Sequence, residues 1–289
     1  MPHSALATPS ATLAVLKRFH LATKKSLGQH FLIDDNVVGR ILELAAIGPS
    51  DVILEVGPGI GTLTCALCEH AGAVVAVERD PDLLPALKAT TAECEHLAVV
   101  RADAVAVSPA ALAEPFGRAV ALVANLPYAV AATVVLRFFE ELPALRSATV
   151  MVQSEVADRM AASPGGKEYG SYSVKLRLLA RPAGRFAVPR SCFLPQPRVD
   201  SAVLRLERCA LSDDPALLAA AARVADSAFA QRRKTVRNSL KSTLGVEVNA
   251  LDDALAVAGI DGSLRAEVLE PQLFLALAAA LEGPLGTLS

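Results

Sequence analysis

The sequence predicts an α/β protein, with an open and mostly parallel sheet over about the first 210 residues and a smaller all-helical domain after it. Three observations lead there. Short β-branched runs alternate with helical patterns between about residues 35 and 153, the spacing of βαβ units. Two later segments, Ser173–Ala180 and Asp200–Glu207, alternate apolar and polar residues as edge or antiparallel strands do. After Arg208 no strand pattern recurs, and Ala- and Leu-rich helical stretches run from about Pro215 to the end.

In chain order, residues 1–22 form an N-terminal extension to which the sequence assigns no role. A helix over Asn36–Ile47 gathers Val37, Val38, Ile41, Leu42 and Ala45 on one face, with Asp34 or Asp35 as cap and Gly48-Pro49 as stop. Buried strands are expected at Asp51–Val56, Ala73–Glu78, Leu97–Arg101, Ala119–Ala124 and Ala148–Gln153. The two alternating segments complete the same sheet. Ser163-Pro164-Gly165-Gly166 is a loop, and a domain boundary falls near 210, giving domains of 23–210 and 211–289.

Composition narrows the function classes. With 289 residues, 53% hydrophobic, the chain has enough apolar material for a packed core and is not a disordered protein. Its longest apolar stretches, such as Leu273–Leu281, fall short of the roughly 18 to 20 residues of a membrane-spanning helix, so no membrane partner is expected. Five irregularly spaced Cys fit a reducing compartment, and the absence of basic residues before Lys17 argues against a secretory signal. The cytoplasm is therefore expected. An organellar transit peptide is the alternative for residues 1–22, because residues 1–30 lack acid and are rich in Ala, Ser and Thr.

The net charge of −2 hides an uneven distribution. Residues 31–174 carry 9 basic against 18 acidic groups, and 242–289 carry 1 against 7. Residues 1–30 carry 4 basic groups and no acid, 175–210 carry 8 against 2, and 223–241 carry 6 against 1. Three basic segments in an otherwise acidic chain offer a polyanion a docking surface if folding gathers them.

Gly57-Pro58-Gly59-Ile60-Gly61 follows the first buried strand and opens a helix, so its backbone can approach a ligand where a Cβ would clash. Glu78 ends the second strand 17 residues later, placed to take both hydroxyls of a ribose. The spacing G-x-G-x-G is not the dinucleotide fingerprint, which weakens the case for a nicotinamide cofactor and a dehydrogenase. Asp103 follows the third strand at the same sheet edge, where its carboxylate could accept from an adenine amino group.

Asn125-Leu126-Pro127-Tyr128 follows the fourth strand and resembles the catalytic tetrapeptide of methyltransferases acting on the exocyclic nitrogen of adenine. That nitrogen's lone pair is delocalised into the ring. An amide oxygen on Asn125 and the carbonyl of Leu126 could each accept an N–H, drawing the amine toward tetrahedral geometry. Pro127 restricts Leu126 to an extended conformation, and Tyr128 offers a ring for the base to stack on.

On these residues the chain resembles the small-subunit ribosomal RNA adenine N6,N6-dimethyltransferase family, from about Lys24 to at least Leu240. The resemblance implies a Rossmann-like, seven-stranded class I methyltransferase domain and S-adenosylmethionine as cofactor, with no metal. Lys25-Ser26-Leu27-Gly28-Gln29-His30-Phe31-Leu32 is similar to the family's N-terminal cofactor segment, which assigns Gln29, His30 and Leu32 to the cofactor and leaves His30 without a catalytic role. Glu55 through Gly61 matches the glycine motif, Glu78 the ribose acid and Asp103 the adenine acid, with Asn125 bordering both cofactor and target. Phe193 opens the signature Phe-Leu-Pro-Gln-Pro-Arg-Val-Asp-Ser-Ala-Val, and the resemblance places its ring opposite Tyr128 across an extruded adenine.

Phe229–Leu240 resembles the family's second-domain helix. At 100° per residue, Phe229, Val236 and Leu240 fall within about 40° of one another, with Lys234, Arg237 and Lys241 in a stripe beside them. Together with Arg232 and Arg233 these are the expected RNA contacts. Cys65-x-x-Cys68 reads as packing.

The resemblance implies transfer of two methyl groups to each of two adjacent adenines in a hairpin loop of small-subunit rRNA, by a monomer acting on free rRNA or on an assembling subunit. Two other readings share parts of the pattern. A large-subunit rRNA adenine methyltransferase of the antibiotic-resistance type shares the glycine and catalytic motifs, and a non-catalytic ribosome-assembly or transcription factor would keep the fold alone.

Overall fold

The computed structural model describes residues 2–22, 29–112, 116–117 and 119–285. Along the first part of the chain lie α1 (Pro9–Arg18), β1 (Phe31–Leu32), α2 (Asp35–Ala45), β2 (Val52–Val56), α3 (Thr62–His70), β3 (Ala73–Glu78) and α4 (Leu84–Thr90). Next come β4 (Leu97–Arg101), α5 (Pro109–Leu112), β5 (Ala121–Asn125), α6 (Ala131–Glu141), β6 (Ser147–Gln153), α7 (Ser154–Ala161) and α8 (Ser171–Leu179). Strands β7 (Ala180–Val188), β8 (Phe193–Leu194) and β9 (Ser201–Arg208) follow, then helices α9 (Pro215–Phe229), α10 (Val236–Leu244), α11 (Val248–Val257) and α12 (Pro271–Leu285).

Contacts divide the chain into two units, Met1–Ala157 with Pro182–Arg208, and Asp158–Arg181 with Cys209–Ser289. The first unit holds a seven-stranded sheet in the order β4-β3-β2-β5-β6-β9-β7. Pairs β2–β3, β3–β4, β2–β5 and β5–β6 are parallel, whereas β9 runs antiparallel to β6 from Ser147↔Glu207 to Gln153↔Ser201. Every residue of β3 is buried, as expected of a strand covered on both faces by helices. From β2 the chain winds outward to β4 and then crosses back to β5, so the strand order reverses between β2 and β5. At such a switch point a crevice opens beyond the carboxyl ends of the strands.

The N-terminal extension has a place in this unit. Thr8 caps α1 by accepting from the Ala11 N–H, and Leu16 packs with Phe31, Ile60, Leu83 and Ala86, directly behind the glycine turn. The backbone N–H groups of His3 and Ser4 donate to the Asp35 carboxylate at 3.0 and 2.8 Å. The cap of α2 is Asp34, which accepts from Asn36.

Three expectations are corrected. Ser173–Ala180 is not a strand: α8 covers Ser173–Leu179, and the Ser173 hydroxyl donates to the Arg159 carbonyl. The helix packs on α9 and α12, which is why Asp158–Arg181 joins the second unit and the boundary near 210 does not divide the chain in one place. The seventh strand is instead β7, at the sheet edge. Phe229–Leu240 is two helices, because the chain turns after Phe229 and restarts at Thr235, whose hydroxyl accepts from Asn238 as an N-cap. In the second unit Phe229 packs between Tyr169 and Phe274, with ring centroids 6.0 and 6.1 Å away, while Val236 and Leu240 are buried on α10.

Among the described residues no helix is long and apolar enough to cross a membrane.

Candidate active site

A cleft opens at the switch point, lined by the ends of β2, β3, β4 and β5 and by the segment around β1. Gly57, Gly59 and Gly61 have φ of +74°, +62° and +91°, the left-handed region where a side chain is strained, so the turn from β2 into α3 depends on them. A Cβ on Gly57 would lie 3.3 Å from Pro127 Cδ, which brings the glycine turn against the Asn125–Tyr128 segment. A Cβ on Gly61 would lie 3.0 Å from both Thr90 Oγ1 and Thr91 Cγ2. The Thr90 hydroxyl also donates to the Ile60 carbonyl at 2.7 Å, pinning the turn to α4. Gly61→Ala is therefore expected to cost about 1–3 kcal/mol of stability. Chemical denaturation measures this; a loss below about 0.5 kcal/mol contradicts the strain argument.

Glu78, buried at the end of β3, is held by two backbone donors: Gly59 N–H to Oε2 at 3.2 Å and Asp80 N–H to Oε1 at 2.7 Å. Burial raises its pKa, and these N–H groups offset part of the rise. The carboxylate is thus fixed in the cleft with lone pairs to spare for a diol. Asp103 follows β4, accepts from Val105 N–H at 3.0 Å and pairs with Arg79 at 3.2 Å.

Glu55 is 1% exposed, borders the cleft, and its Oε2 has no hydrogen-bond partner. Burial is the main reason its pKa is pushed up to about 8, with the Thr64 hydroxyl lowering it and the Glu78 charge raising it. The Thr62 hydroxyl, also on the cleft, is buried and unpartnered. Buried polar atoms left without partners at a cleft are what a polar ligand would satisfy.

Asn125 ends β5, and its Nδ2 donates to the His30 carbonyl at 3.2 Å. A carbonyl can only accept, so the amide orientation is determined and Oδ1 is left as an acceptor. Among the described residues neither that Oδ1 nor the Leu126 carbonyl takes a hydrogen bond, whereas the Leu126 N–H is tied to Met151 O at 3.1 Å. Pro127 and Tyr128 line the same cleft. The Tyr128 hydroxyl sits 2.7 Å from Ser201 Oγ, and its ring stacks on His30 with centroids 5.7 Å apart and planes at 26°.

Most expected cofactor residues converge here: Gln29, His30, Leu32, Glu55, Gly57, Gly59, Glu78, Asp103 and Asn125 all line the cleft. Gly61 instead forms the N-cap of α3, and Lys25–Gly28 lie outside the described residues. Phe193 does not join them. Its ring is 1% exposed, in the apolar cluster of Leu32, Val38 and Ile41, because β8 pairs with β1 in the register Leu32↔Phe193. The structure thus places Phe193 in the apolar core beside β1, and the ring in direct contact with Tyr128 is that of His30. Sequence reasoning also missed Asp80 and Ser201. Asp80 is buried in the cleft wall and accepts from Gln29 Nε2 at 2.8 Å; its only signal was a second acid two residues beyond Glu78.

The expected RNA contacts lie in the second unit. Arg232, Arg233 and Lys234 are exposed in the turn between α9 and α10, with Arg232 within 3.6 Å of Glu267, and Lys241 is exposed on α10. Arg237 differs, because both its Nε and Nη2 donate to Asp252 on α11, at 2.5 and 2.6 Å. Cys65 Sγ lies 3.5 Å from the Thr90 carbonyl, and burial raises the pKa of both Cys65 and Cys68.

Fold and cleft together define a class I, Rossmann-like methyltransferase. Residues 20–282 match the family model described as ribosomal RNA adenine dimethylase, and the chain belongs to that family, whose methyltransferases use S-adenosylmethionine as methyl donor. It is 44% identical to the ribosomal RNA small subunit methyltransferase A of Rhodococcus opacus, covering 96% of this chain and 95% of that protein. The protein of the same name from Shouchella clausii is 41% identical with the same coverage of each. Among solved structures, the 23S rRNA methyltransferase ErmE is 28% identical with a TM-score of 0.65, covering 87% of this chain and 99% of that one. A dimethyladenosine transferase from Plasmodium falciparum, 22% identical, shares the fold with a TM-score of 0.72, covering 88% and 98%.

Proposed function

We propose that this chain transfers methyl groups from S-adenosylmethionine to the N6 atoms of two adjacent adenines in a hairpin loop of small-subunit rRNA during ribosome biogenesis, acting as a cytoplasmic monomer. The observation that carries the reading is the pair of acceptors at the end of β5, Asn125 Oδ1 and the Leu126 carbonyl, beside the ring of Tyr128. An exocyclic amine offers two N–H donors, and two fixed acceptors would hold both while leaving the lone pair for the methyl carbon.

The cleft fits the cofactor. Glu78 would hold the ribose diol, Asp103 the adenine amino group and Glu55 the ammonium of the methionine part, with Gln29 reaching the wall through Asp80. When bound, S-adenosylmethionine supplies a methyl group on a sulfonium, a leaving group good enough that no strong base is required. The chain's own work is to orient, to exclude water and to localise the lone pair. Arg232, Arg233, Lys234 and Lys241 would bind phosphate, and Arg237, braced by Asp252, would hold α10 to α11.

The test is incubation of the purified protein with labelled S-adenosylmethionine and unmethylated small ribosomal subunits, followed by digestion and mass spectrometry. N6,N6-dimethyladenosine at two adjacent adenines is the expected result. Bound cofactor without any transfer to the small-subunit RNA overturns the reading.

A further inference from the structure

We infer that Ser201 and His30 are positioning residues that together fix the plane of the Tyr128 ring against which the target adenine stacks; this rests on the adenine-methylating reading above. Tyr128 lies in the turn between β5 and α6, where Val130 N–H closes back on the Pro127 carbonyl. A ring on such a turn is free to rotate about its side-chain bonds unless something holds it. Two contacts do so, and they act on different parts of the side chain. The hydroxyl meets Ser201 Oγ at 2.7 Å, and Ser201 is wholly buried on β9, opposite Gln153 of β6, so the anchor itself sits on a strand paired on both sides, between β6 and β7. The ring face meets the imidazole of His30 at 5.7 Å and 26°. With one face taken, only the other is offered to a base.

His30 is itself fixed. Its Nδ1 lies 2.7 Å from the Pro195 carbonyl, and its own carbonyl takes the Asn125 amide. One residue therefore touches both halves of the catalytic segment: through its backbone the acceptor that would bind the amine, through its ring the surface that would bind the base. Burial raises the pKa of the Tyr128 phenol while the Ser201 bond lowers it, so near neutrality the hydroxyl keeps its proton and the pair stays intact. Preorganisation of this kind matters because misplacing a reacting amine by about 1 Å costs on the order of a hundredfold in rate.

A merely structural Ser201 would satisfy a buried hydroxyl and affect stability alone. The test is a double-mutant cycle on single-turnover methylation of small subunits, with cofactor binding measured in parallel. Ser201→Ala and Tyr128→Phe are each expected to lose about tenfold in rate, the double variant no more than either, and S-adenosylmethionine affinity to stay within about twofold. Rate losses that multiply to about a hundredfold, or an unaltered rate in Ser201→Ala, overturn the inference. Should Ser201→Ala fail to fold, Tyr128→Phe with an unchanged rate overturns it alone.

A second readout does not need activity. The chain has 3 Tyr and no Trp, so ring-labelled tyrosine gives a simple NMR spectrum in which Tyr128→Phe assigns one signal. Ser201→Ala and His30→Ala are each expected to shift and broaden that signal. An unmoved signal refutes the positioning role, whereas moved signals in a protein that methylates no RNA refute only the functional reading.

Discussion

Replacing Asn125 by Ala is expected to lower the methylation rate by about a thousandfold while changing S-adenosylmethionine affinity by less than about threefold. The asymmetry follows from the bonds. Nδ2 is spent on the His30 carbonyl, so the part of Asn125 that would meet substrate is Oδ1. Without it only the Leu126 carbonyl remains to accept from the amine, and the lone pair stays largely in the ring. The cofactor pocket loses little, because Glu78 is fixed by Gly59 and Asp80 and owes nothing to Asn125. Rapid-quench measurement with small subunits checks this; a rate within about tenfold of the unsubstituted protein removes Asn125 from the role.

The second large effect is a pH dependence of cofactor binding. Burial pushes Glu55 from 4.5 up to about 8, so in the free protein it is protonated at neutral pH. Pairing with an ammonium requires the ionised form, hence binding releases a proton below about pH 8. S-adenosylmethionine affinity should rise about tenfold from pH 6 to 7 and about twentyfold in all from pH 6 to 8, then decline as the ligand's own ammonium loses its proton at pH ~8. The sign for folding is opposite. The folded chain keeps a proton that the unfolded chain loses near 4.5, so this group's contribution to stability declines as pH rises from 4.5 to about 8. Calorimetry in buffers of different ionisation heat reads both the affinity and the proton. A dissociation constant flat from pH 6 to 8 contradicts the assignment, and Glu55→Gln should flatten it by design.

The parallel core was legible because β2, β3, β5 and β6, almost wholly buried, are built mostly from Val, Ile, Leu and Ala. The same burial made the glycine turn and the acids at strand ends stand out. Two segments misled for opposite reasons. In α8, Ser-Tyr-Ser-Val-Lys-Leu-Arg-Leu-Leu alternates by accident, and only its packing on α9 and α12 makes it a helix. In β7, Arg181-Pro182-Ala183-Gly184 argues against a strand, yet at a sheet edge a missing N–H is tolerated, and Arg40 lies 3.8 Å over the Phe186 ring. Phe193 shows the limit of motif reasoning: the signature is present, but pairing of β8 with β1 turns its ring into the core. Ser201 and Asp80 were illegible because their roles depend on partners 73 and 51 residues away in sequence.

The inserted segment Asp158–Arg181 also has a consequence in time. Helix α8 leaves the ribosome before α9 and long before α12, the two elements that cover it. At about 5–20 residues per second, several seconds separate its synthesis from that of α12. During that interval Val174, Leu178 and Leu179 have at most α9 and not α12 to pack against, while β2 to β6 are already complete. The sheet can therefore begin to assemble cotranslationally, whereas the helical unit must wait for α12, with one of its helices held in reserve.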